Sequence, residues 1–460
     1  MTDYQHTLSR FITKTRFKDL PEAVVERTKL IIADSIGAIV GGAAEPEIRA
    51  LASRITTGAP QQSTIIGMGL KADAAQAALL NGSAGTFLEM DEGNQFCKGH
   101  PGMHTIPAAY AWAQVNSVSG PEFIAAVAIG YDIAARVGIS SNLRPSVHPH
   151  GTWGATGAAV AIGKLANFDQ SQMQSLINIS SNMCLAASRP TMLEGGTVRN
   201  MYTGISGQLG ILAHNLVATG FTGECDGLQN VFGNIVSDDF SPLEMVQDIG
   251  LRWEVLRNYF KLHSCCRFNH AALDALDMIV SQAKSASEIS QIVRIDVTTY
   301  AFAAELKDQS PKNTLAAKFS VPFAIATTLI HGSSEVGSFT WAAVSNDTIQ
   351  ALAKKVYVIE DPEMSAQLPG KRPAKVVITL ADGSVLAAAT QTNKGDWQDP
   401  YTVQELRQKY DSLTARLWTK QASNTVYDEI MKLDEAVSLS SLEQAITAAD
   451  LPITTGAGQT

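Results

Sequence analysis

Carboxylates and imidazoles, the side chains that most often transfer protons in enzymes, are concentrated in the stretch LEMDEGNQFCKGHPGMHTIPAA (88–109). Glu89, Asp91 and Glu92 end an apolar helical pattern, where the helix dipole is already negative, so helix stability does not explain them. His100 and His104 follow, on either side of a Pro-Gly breaker. We interpret the stretch as part of an acid/base site; a solvated surface loop is the alternative.

Two further segments carry residues of the same kind. His148 and His150 precede a Gly- and Ala-rich helical pattern, whose positive dipole end would lower their pKa and favour a neutral general base. Arg199 and Tyr202 precede another helix, and the arginine could bind a substrate carboxylate with two hydrogen bonds. The alternatives are capping or packing roles for the histidines, and an ion pair with Glu194 for the arginine.

The segment YFKLHSCCRFNHAALDAL (259–276) combines cations, thiols and histidines. It has neither the CxxC nor the HExxH spacing of a zinc site, and the other cysteines are too scattered for an iron-sulfur cluster. We therefore expect no metal. Lys261, Arg267 and His270 are better interpreted as a cationic patch that binds an anionic substrate beside a cleft.

Composition excludes several classes of protein. The 460 residues predict two domains, and a formal charge of -9 argues against nucleic acid as a partner. The N-terminus does not resemble a signal peptide and no uninterrupted apolar run reaches membrane length, so we expect a cytoplasmic protein that binds no membrane. Five cysteines fit reduced thiols. No phosphate-binding loop is recognisable, so we expect no nucleotide cofactor.

Periodicity predicts a mainly α protein: a large all-α helical domain with an inserted smaller α/β lid domain. Apolar residues recur at helical spacing before residue 265, and Gly204, Gly207 and Gly210 predict close helix contact. The helical domain would comprise residues 1–267 and 396–460, and the lid domain 268–395. Predicted core helices are 22–42, 73–90, 121–138 and 151–168.

The predicted lid domain contains both kinds of secondary structure. A helix is expected at 271–286 and strands at 292–300 and 355–361. The run 374–390 has an Asp382-Gly383 turn between two apolar segments, which predicts a β-hairpin. The interface of two such domains is a natural place for a ligand cleft.

Six segments in this order resemble the MmgE/PrpD family, which includes 2-methylcitrate dehydratase, cis-aconitate decarboxylase and iminodisuccinate epimerase. The resemblance covers most of the chain and implies a helical domain with an α/β lid, a homodimer and a metal-independent site between the domains. The segments are DSIGAIVGG (34–42), NGSAGTFLEMDEG (81–93) with HPG (100–102), HPHGTWGA (148–155), RNMYTG (199–204) with GFTG (220–223), YFKLHSCCRFNH (259–270) and KFSVPF (318–323).

The resemblance also assigns roles to residues. Asp91, His100, His148 and His270 fall on acid/base positions of the family's motifs, whereas His104 matches none and is expected to be structural. The chain departs from the family at Glu89, Arg199, Tyr202 and Phe323, which replace Asp, Lys, His and Tyr. The expected substrate-binding residues are Glu89, His150, Arg199, Tyr202, Lys261 and Arg267.

These residues fit a lyase that removes a proton α to a carboxylate of a citrate-like di- or tricarboxylate. His148 or the Glu89/Asp91 cluster would be the base, protonated His100 or His270 would assist the leaving group, and the cations would stabilise the enolate-like charge. An epimerase of a small dicarboxylate such as iminodisuccinate, or a decarboxylase, could use the same site. A non-catalytic carboxylate-binding protein is the third hypothesis.

Overall fold

The computed structural model describes residues 4–282 and 291–450, and its fold is mainly α as predicted. The helices before the largest sheet are α1 (Tyr4–Lys14), α2 (Glu22–Ala43), α3 (Pro46–Ile55), α4 (Ala74–Phe87), α5 (Pro101–Ala113), α6 (Gly120–Ser140), α7 (Gly154–Leu165), α8 (Gln170–Ser181), α9 (Pro190–Leu193), α10 (Tyr202–Ala218), α11 (Gly227–Asn230) and α12 (Pro242–Val246). Those that follow are α13 (His270–Gln282), α14 (Ala301–Ala304), α15 (Thr314–Lys318), α16 (Val321–His331), α17 (Trp341–Val344), α18 (Asp347–Ala353), α19 (Pro362–Ser365), α20 (Val403–Thr414), α21 (Lys420–Met431) and α22 (Ser440–Ala449).

The four core helices predicted from periodicity are α2, α4, α6 and α7, each within a few residues of its expected bounds. Around them α5 and α10 pack closely, because small residues line the contacts. Gly204 of α10 lies against the backbone of α4, whereas Gly210 lies against α7. The glycines therefore do allow close contact, but with two different helices rather than through one face.

Short strands tie the helical region together, and the sequence did not reveal most of them. They form antiparallel pairs: β1 (Ser63–Ile65) with β2 (Leu70–Ala72), β3 (Gly93–Asn94) with β6 (Asn258–Tyr259), and β4 (Ser141–Leu143) with β5 (Ser237–Phe240). The β3–β6 pair joins the acidic stretch after α4 to the cationic segment that begins at Tyr259. Residues distant in sequence are thereby brought to one place.

A four-stranded sheet follows, in the order β10 (Val385–Thr390), β9 (Ala374–Leu380), β7 (Ile292–Thr299) and β8 (Val356–Glu360). The expected hairpin is present: β9 and β10 are antiparallel around Gly383, which has a φ of 85° that glycine adopts without strain. α13 and α16 cover the sheet's buried face. The predicted helix 271–286 is present as far as Gln282, and residues 283–286 lie outside the described residues.

Buried apolar residues form separate clusters in the two regions. One cluster draws on residues 4–260 and 401–449, and another on residues 265–380 together with Met192. After the sheet the chain returns, and α20 packs against α2. Whether the α/β region closes as a lid, and where the domain boundaries lie, stay predictions.

One helix of the described residues, α6, is long and apolar enough to cross a membrane by length and composition alone. Almost all of it is covered by other parts of the protein. That is the environment of a core helix in a folded domain.

The contact between α10 and α4 provides a test of the packing. A Cβ on Gly204 would lie 2.0 Å from the Leu79 carbonyl oxygen, whereas a Cβ on Gly207 would meet nothing closer than Ala108 Cβ at 3.4 Å. Both alanine substitutions gain about 1 kcal/mol of helix propensity. Gly204→Ala should nevertheless lower the free energy of unfolding by roughly 1–3 kcal/mol, and Gly207→Ala should not. Urea unfolding followed by circular dichroism measures both; equal stability of the two variants would contradict this packing.

Candidate active site

A cavity of about 650 Å³ lies between the helical and α/β regions. Its walls carry a concentration of histidine, arginine and phenylalanine side chains. The helical region contributes Glu89, His100, His148, His150, Arg189 and Arg199, and the later part of the chain contributes Tyr259, Arg267, Phe268, Phe302, Phe319 and Arg372.

Asp91 and His100 form a hydrogen-bonded pair at the wall. His100 Nδ1 lies 2.6 Å from Asp91 Oδ2, and both side chains are buried. Because the carboxylate accepts from Nδ1–H, the neutral imidazole leaves Nε2 as the nitrogen with a free lone pair. Burial lowers the pKa of His100, although Asp91 opposes that shift. The pair therefore has the geometry of an oriented general base.

Lys261 lies behind this pair, between two carboxylates. Its Nζ is 3.5 Å from Asp91 Oδ1 and 3.6 Å from Glu89 Oε2, and Arg199 binds the other oxygen of Glu89. All four side chains are at least 97% buried. Burial raises the pKa of Asp91, but the interaction with His100 and the charge of Lys261 outweigh that effect and hold it well below its usual range. Asp91 thus stays ionised in the interior.

The backbone between α4 and β3 is held in an unusual conformation. Glu89 has a φ of 56°, in the left-handed region that costs a non-glycine residue roughly 1–2 kcal/mol. Its ion pairs with Arg199 and Lys261 compensate for that strain. Lys409 of α20 binds both Asp34 and the backbone carbonyl of the residue after Glu89, which fixes the turn from the other side.

Three further imidazoles are packed around His100 of the Asp91–His100 pair, which we call the dyad. The His150 ring centroid lies 4.5 Å from that of His100, 4.9 Å from that of His148 and 5.6 Å from that of His104. Burial lowers the pKa of His148 and His150 well below the usual value, and the charge of Arg199 adds to this effect. The sequence predicted neutral histidines here, but the main cause is burial.

The protonation of His148 can be assigned from its hydrogen bond. Its Nδ1 accepts from the backbone N–H of His150 at 3.1 Å, so the neutral ring carries its proton on Nε2. His148 therefore presents an N–H donor, whereas His100 presents a lone pair. His104, expected to be structural, packs against Trp153 at 5.0 Å, and burial lowers its pKa to about 3.

The remaining predicted site residues lie at different depths from the cavity. Arg267 lines the cavity and is paired with Asp396. Tyr202 lies behind the wall, with its ring 5.5 Å from that of His148. His270 is fully buried and does not line the cavity; its Nε2 lies 3.2 Å from the Cys265 carbonyl oxygen. Its acid/base role stays a prediction.

The expected cationic patch is therefore arranged differently from the prediction. Lys261 is neutralised by Glu89 and Asp91 rather than free to bind substrate, and Arg199 is already paired with Glu89. The cavity-lining cations that sequence reasoning missed are Lys98, Arg144, Arg189 and Arg372. Arg372 gave no signal, because it lies in the loop before β9 and belongs to no recognisable motif.

One group of described residues has the composition of a metal site. The donor atoms of His263, Asp274 and Asp277 lie within 4.8 Å of one another. Both nitrogens of His263 already have protein partners, Ser334 through Nδ1 and Asp274 through Nε2 at 3.0 Å. Ordinary hydrogen bonds to protein groups account for the position of His263 in this group.

Glu92 faces away from the dyad, and its pKa provides a test of the electrostatics of the stretch 88–109. It accepts hydrogen bonds from Tyr131 Oη at 2.9 Å and from the backbone N–H of Gly102 at 2.8 Å, and burial raises its pKa to about 8. The folded state thus binds a proton that the unfolded state releases near pH 4.5. The contribution of Glu92 to stability should be full below about pH 4.5 and fall as pH rises towards 8.

Glu92→Gln should remove that dependence, because the amide stays neutral; its oxygen can accept from the Gly102 N–H and its NH₂ group can donate to Tyr131 Oη. We expect the free energy of unfolding to fall less between pH 5 and 8 in the variant than in the wild type. Urea unfolding at several pH values measures the difference. Parallel pH curves for the two proteins would show that Glu92 is ionised in the folded state.

The sequence comparisons agree with this architecture. The MmgE/PrpD N-terminal domain matches residues 6–237 and the MmgE/PrpD C-terminal domain matches residues 263–433. A cis-aconitate decarboxylase-like protein, oryM, of Aspergillus oryzae is 22% identical over 95% of both chains. Cis-aconitate decarboxylases of Aspergillus terreus (22% identical, 92% of both chains) and Mus musculus (20% identical, 93% of this chain and 90% of that one) are also similar. The chain belongs to the MmgE/PrpD family.

Proposed function

We propose that the protein is a lyase of a citrate-like di- or tricarboxylate, which removes a proton α to a carboxylate in a dehydration or releases carbon dioxide in a decarboxylation. The observation that carries the proposal is the Asp91–His100 pair at the wall of a cavity lined with cations. Family membership and relatives that are cis-aconitate decarboxylases support an enzyme of this general kind.

His100 is the base in this proposal. Its Nε2 lone pair takes the α-proton, and the resulting imidazolium is stabilised by the ionised Asp91 across the 2.6 Å hydrogen bond. Lys261 keeps Asp91 from taking that proton itself, because its charge favours the ionised carboxylate. The dyad is thus prepared before substrate binds.

His148 is the hydrogen-bond and proton donor that complements this base. In a dehydration its Nε2–H donates a hydrogen bond to the β-hydroxyl, which leaves as the carbon-oxygen bond breaks and departs as water with the proton that His100 took. In a decarboxylation no α-proton is removed: the carbon-carbon bond breaks, carbon dioxide leaves, the electron pair stays on the remaining carbon, and that carbon takes the proton of the same N–H, which water replaces. This assignment reverses the roles that the sequence suggested for His100 and His148, and its support is the tautomer of each ring.

The network of buried ion pairs formed by Glu89, Asp91, Arg199 and Lys261 keeps the charge around the dyad the same with and without bound substrate. Arg199 and Lys261 are balanced by Glu89 and Asp91, so substrate need not displace a protein partner from either cation. Desolvated charges of fixed position stabilise a developing enolate without reorganisation. A homodimer, a cytoplasmic location and a reaction without metal or cofactor stay part of the proposal.

Proton exchange in deuterated water tests the reaction directly. Cis-aconitate, citrate, 2-methylcitrate and iminodisuccinate should be incubated with the protein and analysed by mass spectrometry. We expect deuterium at the α-carbon of one substrate together with water loss or carbon dioxide release. Scrambling of stereochemistry alone would instead indicate an epimerase, and binding without any exchange would indicate a carboxylate-binding protein.

The same assay tests the dyad. Asp91→Asn and His100→Asn should each lower kcat by roughly a hundredfold or more, because an amide cannot hold the imidazole in the required tautomer or accept the proton. His214→Asn is the matched control, since His214 stacks on Phe168 outside the cavity. Normal turnover in both dyad variants would refute the proposed base.

The pH profile of kcat/KM gives an independent test. Since burial lowers the pKa of His100 below 6.5, the base stays deprotonated at neutral pH. Activity should therefore fall only when the pH drops below about 6.5, with the His100 ring gaining a proton. Because His148 donates as a neutral ring, no histidine should cause a loss of activity between about pH 6.5 and 8. A rate that rises on acidification through pH 6 would contradict a neutral base.

A further inference from the structure

Four cations gather at one end of the cavity, where the helical region and the α/β region meet. Arg267 is paired with Asp396 and Arg189 with Glu305. The other two have no carboxylate partner among residues 4–282 and 291–450. We call this group the cationic end; it comprises Lys98, Arg189, Arg267 and Arg372.

Several donors of the cationic end are buried without an acceptor. Arg372 is 5% exposed and Arg267 is 3% exposed. Within the described part of the chain, Nε of Arg372 and both Nε and Nη1 of Arg267 have no hydrogen-bond partner. A buried cationic donor left without an acceptor is costly, so an anionic ligand with two or more oxygens would complete the group.

The two guanidinium groups are held in fixed positions. Gln95 accepts from both: its side-chain oxygen from Arg267 Nη2 at 3.1 Å and its backbone oxygen from Arg372 Nη2 at 3.1 Å. Arg372 lies 5.3 Å over the ring of Phe268, which stacks on that of Phe302 with an angle of 18° between the rings. Such support lowers the entropy lost when a carboxylate binds.

The charges of the cationic end also repel one another. Lys98 has a φ of 61° in the loop before α5, and burial, Arg372 and Arg189 all lower the pKa of its ammonium group. A bound carboxylate would reduce that repulsion. Arg144 also lines the cavity, but its side chain is 43% exposed and paired with Asp238, so it is not part of the buried group.

The cationic end is separated from the dyad by a single side chain. The ring of Tyr259 lies 6.3 Å from that of His100 on one side and 4.4 Å from the Arg267 guanidinium carbon on the other. A carboxylate bound at Arg267 and Arg372 would therefore belong to a part of the substrate beyond the carbon that His100 deprotonates.

We propose that Arg372, together with Arg267, binds the substrate carboxylate remote from the reacting carbon and so selects di- and tricarboxylates against monocarboxylates. The inference rests on the proposed function for the identity of the reacting end. It assigns substrate selection to the α/β region and proton transfer to the helical region.

Direct binding of propane-1,2,3-tricarboxylate tests the inference. This saturated compound has no hydroxyl to lose, and isothermal titration calorimetry measures its affinity without turnover. Arg372→Met should weaken binding roughly a hundredfold, because it removes the charge and its hydrogen bonds. Arg372→Lys should weaken binding roughly tenfold, because lysine keeps the charge but cannot make the bidentate contact. Arg294→Met is the control, since Arg294 is an exposed arginine of β7 paired with Asp296.

The kinetic signature distinguishes binding from catalysis. Arg372→Met should raise KM and leave kcat within a fewfold, whereas His100→Asn should abolish turnover and leave tricarboxylate binding intact. Unchanged affinity in Arg372→Met with a normal melting temperature would overturn the inference. If that variant does not fold, unchanged affinity in Arg372→Lys has the same meaning.

The two proposals can fail separately. Arg372-dependent binding in a protein that turns over none of the tested acids would refute the lyase and leave the carboxylate subsite standing. Turnover that depends on His100 but not on Arg372 would refute the subsite and leave the lyase standing.

Discussion

The arrangement of the site depends on one constraint, the burial of the Asp91 carboxylate as an ion. An isolated carboxylate in a protein interior takes up a proton, because desolvation disfavours its charge. Asp91 avoids this through the ammonium group of Lys261 on one oxygen and the N–H of His100 on the other. Removal of either partner would leave a buried charge uncompensated. The same interactions therefore orient His100 and stabilise the folded turn.

The fold provides these partners from distant parts of the chain. The β3–β6 pair brings the Lys261 segment beside the turn that carries Asp91, and Ser264 donates to the backbone of that turn at 2.8 Å. Lys409 and Asp34 hold the opposite side, so α20 supports the site although it follows the α/β region in sequence. The three segments meet only in the folded protein, which makes the turn sensitive to packing far from the cavity.

The sequence predicted the elements with strong local patterns and the residues that stand in motifs. The core helices followed from apolar periodicity, the hairpin from its Asp-Gly turn, and the association of Asp91 with His100 from their proximity in the chain. It could not show which cations the protein neutralises itself, because that depends on side chains meeting across the fold. Lys261 and Arg199 were expected to bind substrate for this reason, and Arg372 was missed because no local pattern marks it.

The structure offers a physical explanation for two of the departures from the family pattern, Glu89 and Arg199. Glu89 and Arg199, which the resemblance aligns with Asp and Lys of the family's motifs, are bound to each other, so the two departures form one matched pair. A longer carboxylate with a longer cation keeps the charge at the dyad balanced while altering its spacing. Such a change adjusts the environment of Asp91 more than the recognition of substrate. Differences in substrate between this protein and its relatives should therefore originate at the other end of the cavity, where buried arginine nitrogens lack acceptors among the described residues and where the α/β region contributes side chains.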